Sequence, residues 1–72
     1  MTRMKNYRLD AMLTQYELAD LARVARHRIQ VAENGIPILT AAEAKRISIV
    51  FGLKQMPEFL QILIEQDVPL ED

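Results

Sequence analysis

A chain of 72 residues lies at the low end of what a single hydrophobic core can hold together, which excludes a multi-domain enzyme. Half of its residues are hydrophobic and 26% are charged, the mixture of a globular protein, and with no cysteine it can build neither a disulfide framework nor a thiolate metal site. The formal net charge of -1 hides an asymmetry: residues 1–28 carry six Lys or Arg against three acids, and residues 29–72 carry three against seven, so the first part offers an anionic partner a local positive field.

The opening "MTRMKNY" has no apolar run of signal-peptide length, and the longest apolar stretch, "ISIVFGL", is far short of a membrane span. A soluble, cytoplasmic chain is the expectation. Helical periodicity runs almost the whole length and no segment shows sustained apolar and polar alternation, so the fold class is all-α: one domain over 1–72 with four to five helices. A first helix is expected from about Tyr7 to Leu13, burying Leu9, Met12 and Leu13. A second opens at Thr14, followed three positions later by Glu17 in the capping-box pattern, and runs to about Ala22 with Leu18, Ala19 and Ala22 on one face. Arg23 to Ala25 then form a short turn.

The third helix, about Arg26 to Asn34, carries Arg26, His27 and Arg28 in a row. Stepping 100° per residue directs Ile29 and Ala32, with Ala25, to the core. Arg26, His27, Gln30, Val31 and Asn34 fall on the opposite side, with Arg28 and Glu33 on the flanks. The outward face is thus rich in hydrogen-bond donors around a small apolar centre. Arg forks and amide side chains suit the acceptor-rich edges of guanine and adenine, Val can meet a thymine methyl, and one α-helix fits the major groove of duplex DNA.

Asn34 and Gly35 suit the left-handed end of that helix. After the loop "IPIL", Thr40 and Glu43 form a second capping box, opening a helix on which Ala44, Ile47, Ser48 and Phe51 share a face until Gly52; Ile49 lies opposite. A fifth helix is expected from Pro57 to about Gln66, before Val68 and Pro69. Its Phe59, Leu60, Ile62, Leu63 and Ile64 span roughly 200°, about twice the stripe one core needs, which points to a homodimer contact.

The stretch "LTQYELADLARVARHRIQVAENG" resembles the helix-turn-helix of the phage repressor and Cro family, also called the XRE family, in its Thr-Gln opening, its Glu-Leu-Ala, the apolar Val24 after the turn, Ile29 and the Glu-Asn-Gly ending. With "AAEAKRISIVFGL" resembling that family's fourth helix, the similarity spans about Leu9 to Leu53. It implies a compact lambda-repressor-like domain with the helix-turn-helix at about 14–34, binding double-stranded DNA as a transcriptional repressor or activator, commonly as a homodimer on a two-fold symmetric operator. Carried over by position, Gln15 meets a backbone phosphate, Arg26 and His27 take the first recognition positions, and Gln30 and Val31 the next turn. Arg28 matches a base or phosphate contact, and Asn34 lies near the phosphates. Two departures concern the turn. Arg23 stands where the family usually has Gly, so either Arg accepts a positive φ or the turn is shaped differently. Ala25 stands where Ser or Thr usually caps the recognition helix.

Arg3, Lys5 and Arg8 could form an arm or helix flank meeting phosphates. No catalytic constellation is visible: the single His lies between arginines, the single Ser lies on a core-facing helix side, and no glycine-rich phosphate loop exists. No cofactor or metal is expected. The alternative to a DNA reader is a helix-turn-helix interaction module, an antitoxin or adaptor with a protein as its main partner, which the acidic, apolar C-terminal third favours.

Overall fold

The protein's structure, a computed structural model, describes residues 2–65. Gln66, the expected end of the last helix, and Val68 and Pro69 beyond it lie outside the described residues. Five helices follow one another: α1 (Arg3–Asp10), α2 (Gln15–Ala22), α3 (Arg26–Glu33), α4 (Ala41–Val50) and α5 (Glu58–Gln61).

Both capping boxes form. The Thr14 hydroxyl accepts the Glu17 amide at 3.0 Å while Glu17 Oε1 accepts the Thr14 amide at 2.8 Å, and Thr40 and Glu43 do the same at 3.0 and 2.9 Å. Each pair satisfies two helix-start donors reciprocally, which fixes where α2 and α4 begin. At their other ends α1 to α4 share one closing device. The amides of Leu13, Val24, Ile36 and Leu53 reach back five residues to the carbonyls of Arg8, Ala19, Val31 and Ser48. The residue before each of those donors is left-handed: Met12 (φ 61), Arg23 (φ 56), Gly35 (φ 87) and Gly52 (φ 76). This is the Schellman arrangement. Gly35 and Gly52 adopt it freely, whereas Met12 and Arg23 carry a Cβ into a disfavoured region.

The core is assembled from the faces that periodicity marks on the central helices. Leu18, Ala19 and Ala22 of α2, Ile29 and Ala32 of α3, and Ala44 and Ile47 of α4 are buried, joined by Met4, Val24, Leu39, Leu60 and Leu63. Ser48 is buried on the same side of α4, its hydroxyl donating to the Lys45 carbonyl at 2.9 Å. The turn between α2 and α3 differs in one respect from expectation: Val24 enters the core and Ala25 stays exposed, because the αL residue Arg23 redirects the chain by one position.

Two elements depart further. Helix α1 is capped by Thr2, whose hydroxyl accepts the Lys5 amide at 3.2 Å, and runs from Arg3 to Asp10, so it starts four residues and ends three residues ahead of the expected span. Its inward residues are therefore Met4, Tyr7 and Arg8. Leu9 and Met12 are exposed and Leu13 is only partly buried, since Met12 has left the helix for the left-handed region. Tyr7 instead bridges two elements, with its ring 5.6 Å from that of Phe51 and stacked at 5.0 Å on that of Phe59. Helix α5 is a single turn. Beyond it Leu39 and Ile64 form an isolated parallel bridge, with the Leu39 amide donating to Leu63 O at 3.0 Å and the Glu65 amide to Leu39 O at 2.7 Å. Breaking the helix there lets Leu60 and Leu63 both enter the core, with Phe59 and Ile64 packed against it. Of the broad apolar arc expected on a continuous helix, Ile62 alone stays largely exposed.

Candidate nucleic-acid interface

Helix α3 is seated by Ile29 and Ala32, both fully buried. That anchoring leaves Arg26, His27, Gln30, Val31 and Asn34 on its other side: His27, Gln30 and Asn34 are exposed, and Arg26 and Val31 are partly so. At the start of α3 the Ala25 side chain makes no capping bond, so the free amides at that end have no side-chain acceptor from the capping position.

One polar network joins this face to the interior. Arg8 and Glu33 form a buried ion pair, Nε to Oε2 at 2.6 Å and Nη2 to Oε1 at 3.2 Å, and Arg8 Nη1 also donates to the Leu13 carbonyl at 2.7 Å. Glu33 Oε1 accepts in addition from Gln15 Nε2 at 3.0 Å. Gln15 Oε1 in turn accepts from Arg26 Nη1 at 3.4 Å, and the same Nη1 lies 3.4 Å from Gln30 Oε1. The Arg26 guanidinium sits over the Tyr16 ring, 4.8 Å from its centroid. The amide orientation of Gln15 is thus set from behind by a fixed carboxylate, and Gln15 and Gln30 together restrain Arg26.

The structure therefore brings Gln15, Arg26 and Gln30 into direct contact. Gln15, Gln30 and Asn34 also line a polar cleft of about 430 Å³ with Thr2, Lys5 and Glu33. His27 and Val31 belong to the same face without joining the network. Arg28 is engaged elsewhere: its Nε and Nη2 bind Glu43 Oε2 and Oε1 at 3.0 and 2.6 Å, and Nη2 also donates to the Ile38 carbonyl at 2.8 Å. These bonds hold the Glu43 carboxyl below the usual carboxylate range against the opposing effect of burial, with the Thr40 amide adding to the lowering. They likewise raise the Arg28 guanidinium above its ordinary value.

Of the three basic residues read as an arm or flank, Arg3 is exposed and Lys5 lines the cleft, but Arg8 is buried against Glu33 and offers no charge to the surface. The reason lies in the register of α1. Arg8 is one turn from the fully buried Met4, and Glu33 is one turn from the fully buried Ile29. A charge at i+4 from a core residue is the signal that could have marked both as a buried pair. Three further residues stand near this face, and local periodicity does not single them out. Tyr16 carries an exposed aromatic next to Gln15. Thr2 lines the cleft as well as capping α1. Arg46 on α4 donates from Nε to Ala22 O at 2.7 Å and from Nη2 to Arg23 O at 3.2 Å, placing a cation on the C-terminal carbonyls of α2, where the helix dipole favours it. It thereby pins the turn that aims α3.

Among the described residues no helix is long and apolar enough to cross a membrane, and no group of three His, Cys, Asp or Glu is disposed to hold a metal ion. In comparisons with known proteins, a family model described as Helix-turn-helix matches residues 4–59. No curated protein and no solved structure gives a significant match.

Proposed function

Since this chain belongs to the XRE-family helix-turn-helix proteins, which bind DNA and are typically non-catalytic, we propose that it is a sequence-specific transcriptional repressor of the cytoplasm that reads the major groove of duplex DNA with α3 as a homodimer. The observation that carries the reading is the uncovered face of α3, where Arg26 is restrained by Gln15 and Gln30 beside the exposed His27. Donors held in place before binding lose less side-chain freedom when they meet base edges.

On this reading Arg26, His27 and Gln30 contact base edges, and Val31 packs against a thymine methyl. Gln15 and Asn34, which line the cleft with Lys5, hold backbone phosphates. Arg28 has Nε and Nη2 committed to Glu43 and Ile38, so a phosphate is left its Nη1 alone. The acids that make the net charge negative cluster after residue 28 and can face away from the duplex. The homodimer part of the reading draws on the two-fold symmetry of operators and on Ile49 and Ile62, exposed on neighbouring elements at the α4 and α5 end.

Selection of bound duplexes from a random pool tests the proposal. A defined motif is expected, and Gln30→Ala should cost roughly 1–3 kcal/mol on it and relax one or two base pairs. If Arg26→Ala and Gln30→Ala leave binding to every duplex unchanged in a folded protein, this face is not the reading head, and a protein partner becomes the better reading.

A further inference from the structure

We propose that Tyr16 is a positioning residue for base readout: its ring holds the Arg26 guanidinium in the orientation that presents a free donor edge to guanine. The inference deepens the reading of Arg26 as a base-edge contact and rests on it.

Three contacts define the state of Arg26. Nη1 lies 3.4 Å from both Gln15 Oε1 and Gln30 Oε1, and the guanidinium carbon is 4.8 Å from the centroid of the Tyr16 ring. The two hydrogen bonds are long, and both fall on one nitrogen. By themselves they leave the planar group free to rotate about that point. The ring supplies the missing restraint, because a cation over an aromatic face is attracted by the ring quadrupole. Among the described residues Nε and Nη2 of Arg26 have no hydrogen-bond partner. They form the kind of two-donor edge that guanine O6 and N7 accept together.

Tyr16 is 70% exposed and makes no contribution to the buried core. The first turn of α2 is already secured by Thr14 and Glu17, so the helix does not need an aromatic there. Its chief interaction is with a cation on the other helix of the motif. The ring therefore acts through Arg26, and Gln15 beside it acts on the same group from the polar side.

The test is duplex selection with the full chain and its Arg26→Ala, Tyr16→Ala and Tyr16→Phe variants, with fold checked by circular dichroism. Arg26→Ala identifies the base pair that depends on that side chain. Tyr16→Ala should reduce discrimination for guanine at that same pair by about two- to fivefold, the equilibrium equivalent of an exposed cation–π contact, with the other positions unchanged. Tyr16→Phe, which keeps the ring, should retain it. Full guanine preference in Tyr16→Ala overturns the inference, as does a uniform loss over all duplexes, which would make Tyr16 a backbone contact, or a loss in Tyr16→Phe equal to that in Tyr16→Ala. If Arg26→Ala shifts no position of the selected motif, the base-reading role of Arg26 fails first and this inference falls with it.

Discussion

Arg8 and Glu33, 25 residues apart, close a buried ion pair at 2.6 Å that ties the first helix to the end of the third. Arg8 turns its remaining nitrogen, Nη1, to the Leu13 carbonyl and Glu33 takes a third bond from Gln15, and no buried side-chain N or O atom among the described residues lacks a partner. A pair this well satisfied adds little over an apolar replacement, yet losing one partner strands a charge.

Glu33→Met or Arg8→Met alone should therefore destabilise the domain by about 3–5 kcal/mol, a large share of the stability of so small a protein. The double Arg8→Met, Glu33→Met variant should recover most of that loss. Urea unfolding of the three proteins measures the difference; equal losses in single and double variants would show that burial of the charge is not the cause. Because Gln15 loses its anchor, the double variant should still bind DNA more weakly than the parent.

Arg23 holds a left-handed conformation at φ 56 and ψ 47 that costs a residue with a Cβ roughly 1–2 kcal/mol. Glycine escapes that cost but loses more chain entropy on folding. Arg23→Gly should accordingly stabilise the domain by about 1 kcal/mol, or about 4–8 °C in Tm, and Arg23→Val should destabilise it. Thermal unfolding followed by circular dichroism reads both signs.

At the start of α3, Ala25 is exposed, with φ -59 and ψ 139, and offers no acceptor to the helix amides. Ala25→Ser supplies one and should raise stability by about 0.5–2 kcal/mol. No rise in the denaturation midpoint would mean that those amides are already satisfied by water at no cost.

The depressed carboxyl of Glu43 gives the fold a pH dependence of definite sign. Its folded value lies below its ordinary 4.5, chiefly through the Arg28 hydrogen bonds. The resulting stability is present above pH 4.5 and is lost as pH falls through the lower folded value. Glu43→Gln keeps a side chain able to complete the capping box but removes the charge. It should be less stable than the parent at neutral pH, and the gap should narrow below pH 4.5. A gap that stays constant into acid would exclude the Arg28–Glu43 pair as its source.

For the proposed homodimer, Ile62→Glu places a charge on an exposed apolar residue and should yield a folded monomer by sedimentation. Leu63→Glu, one residue away, should unfold the chain, because Leu63 is 3% exposed and belongs to the core. A parent chain that sediments as a monomer without DNA would exclude a pre-formed dimer.

What the sequence determined by itself is what depends on residues close together along the chain. Thr14 with Glu17 and Thr40 with Glu43 set two helix starts within four residues each. Gly35 and Gly52 set two helix ends, and the spacing of Leu18, Ala19 and Ala22, or of Ile29 and Ala32, set which faces turn inward. The outward set on α3 followed from the same periodicity. Tertiary structure decided the rest. Arg8 resembles a solvent-facing cation until Glu33 is brought beside it from 25 residues away. Arg28 belongs to the positive run until Glu43 pairs with it. The apolar arc after Pro57 reads as one long helix until Leu39 offers backbone partners to Leu63 and Glu65, and that bridge turns surplus surface into core. In each case the deciding partner is remote along the chain, and local periodicity carries no record of which remote group will satisfy a buried charge or a free backbone bond.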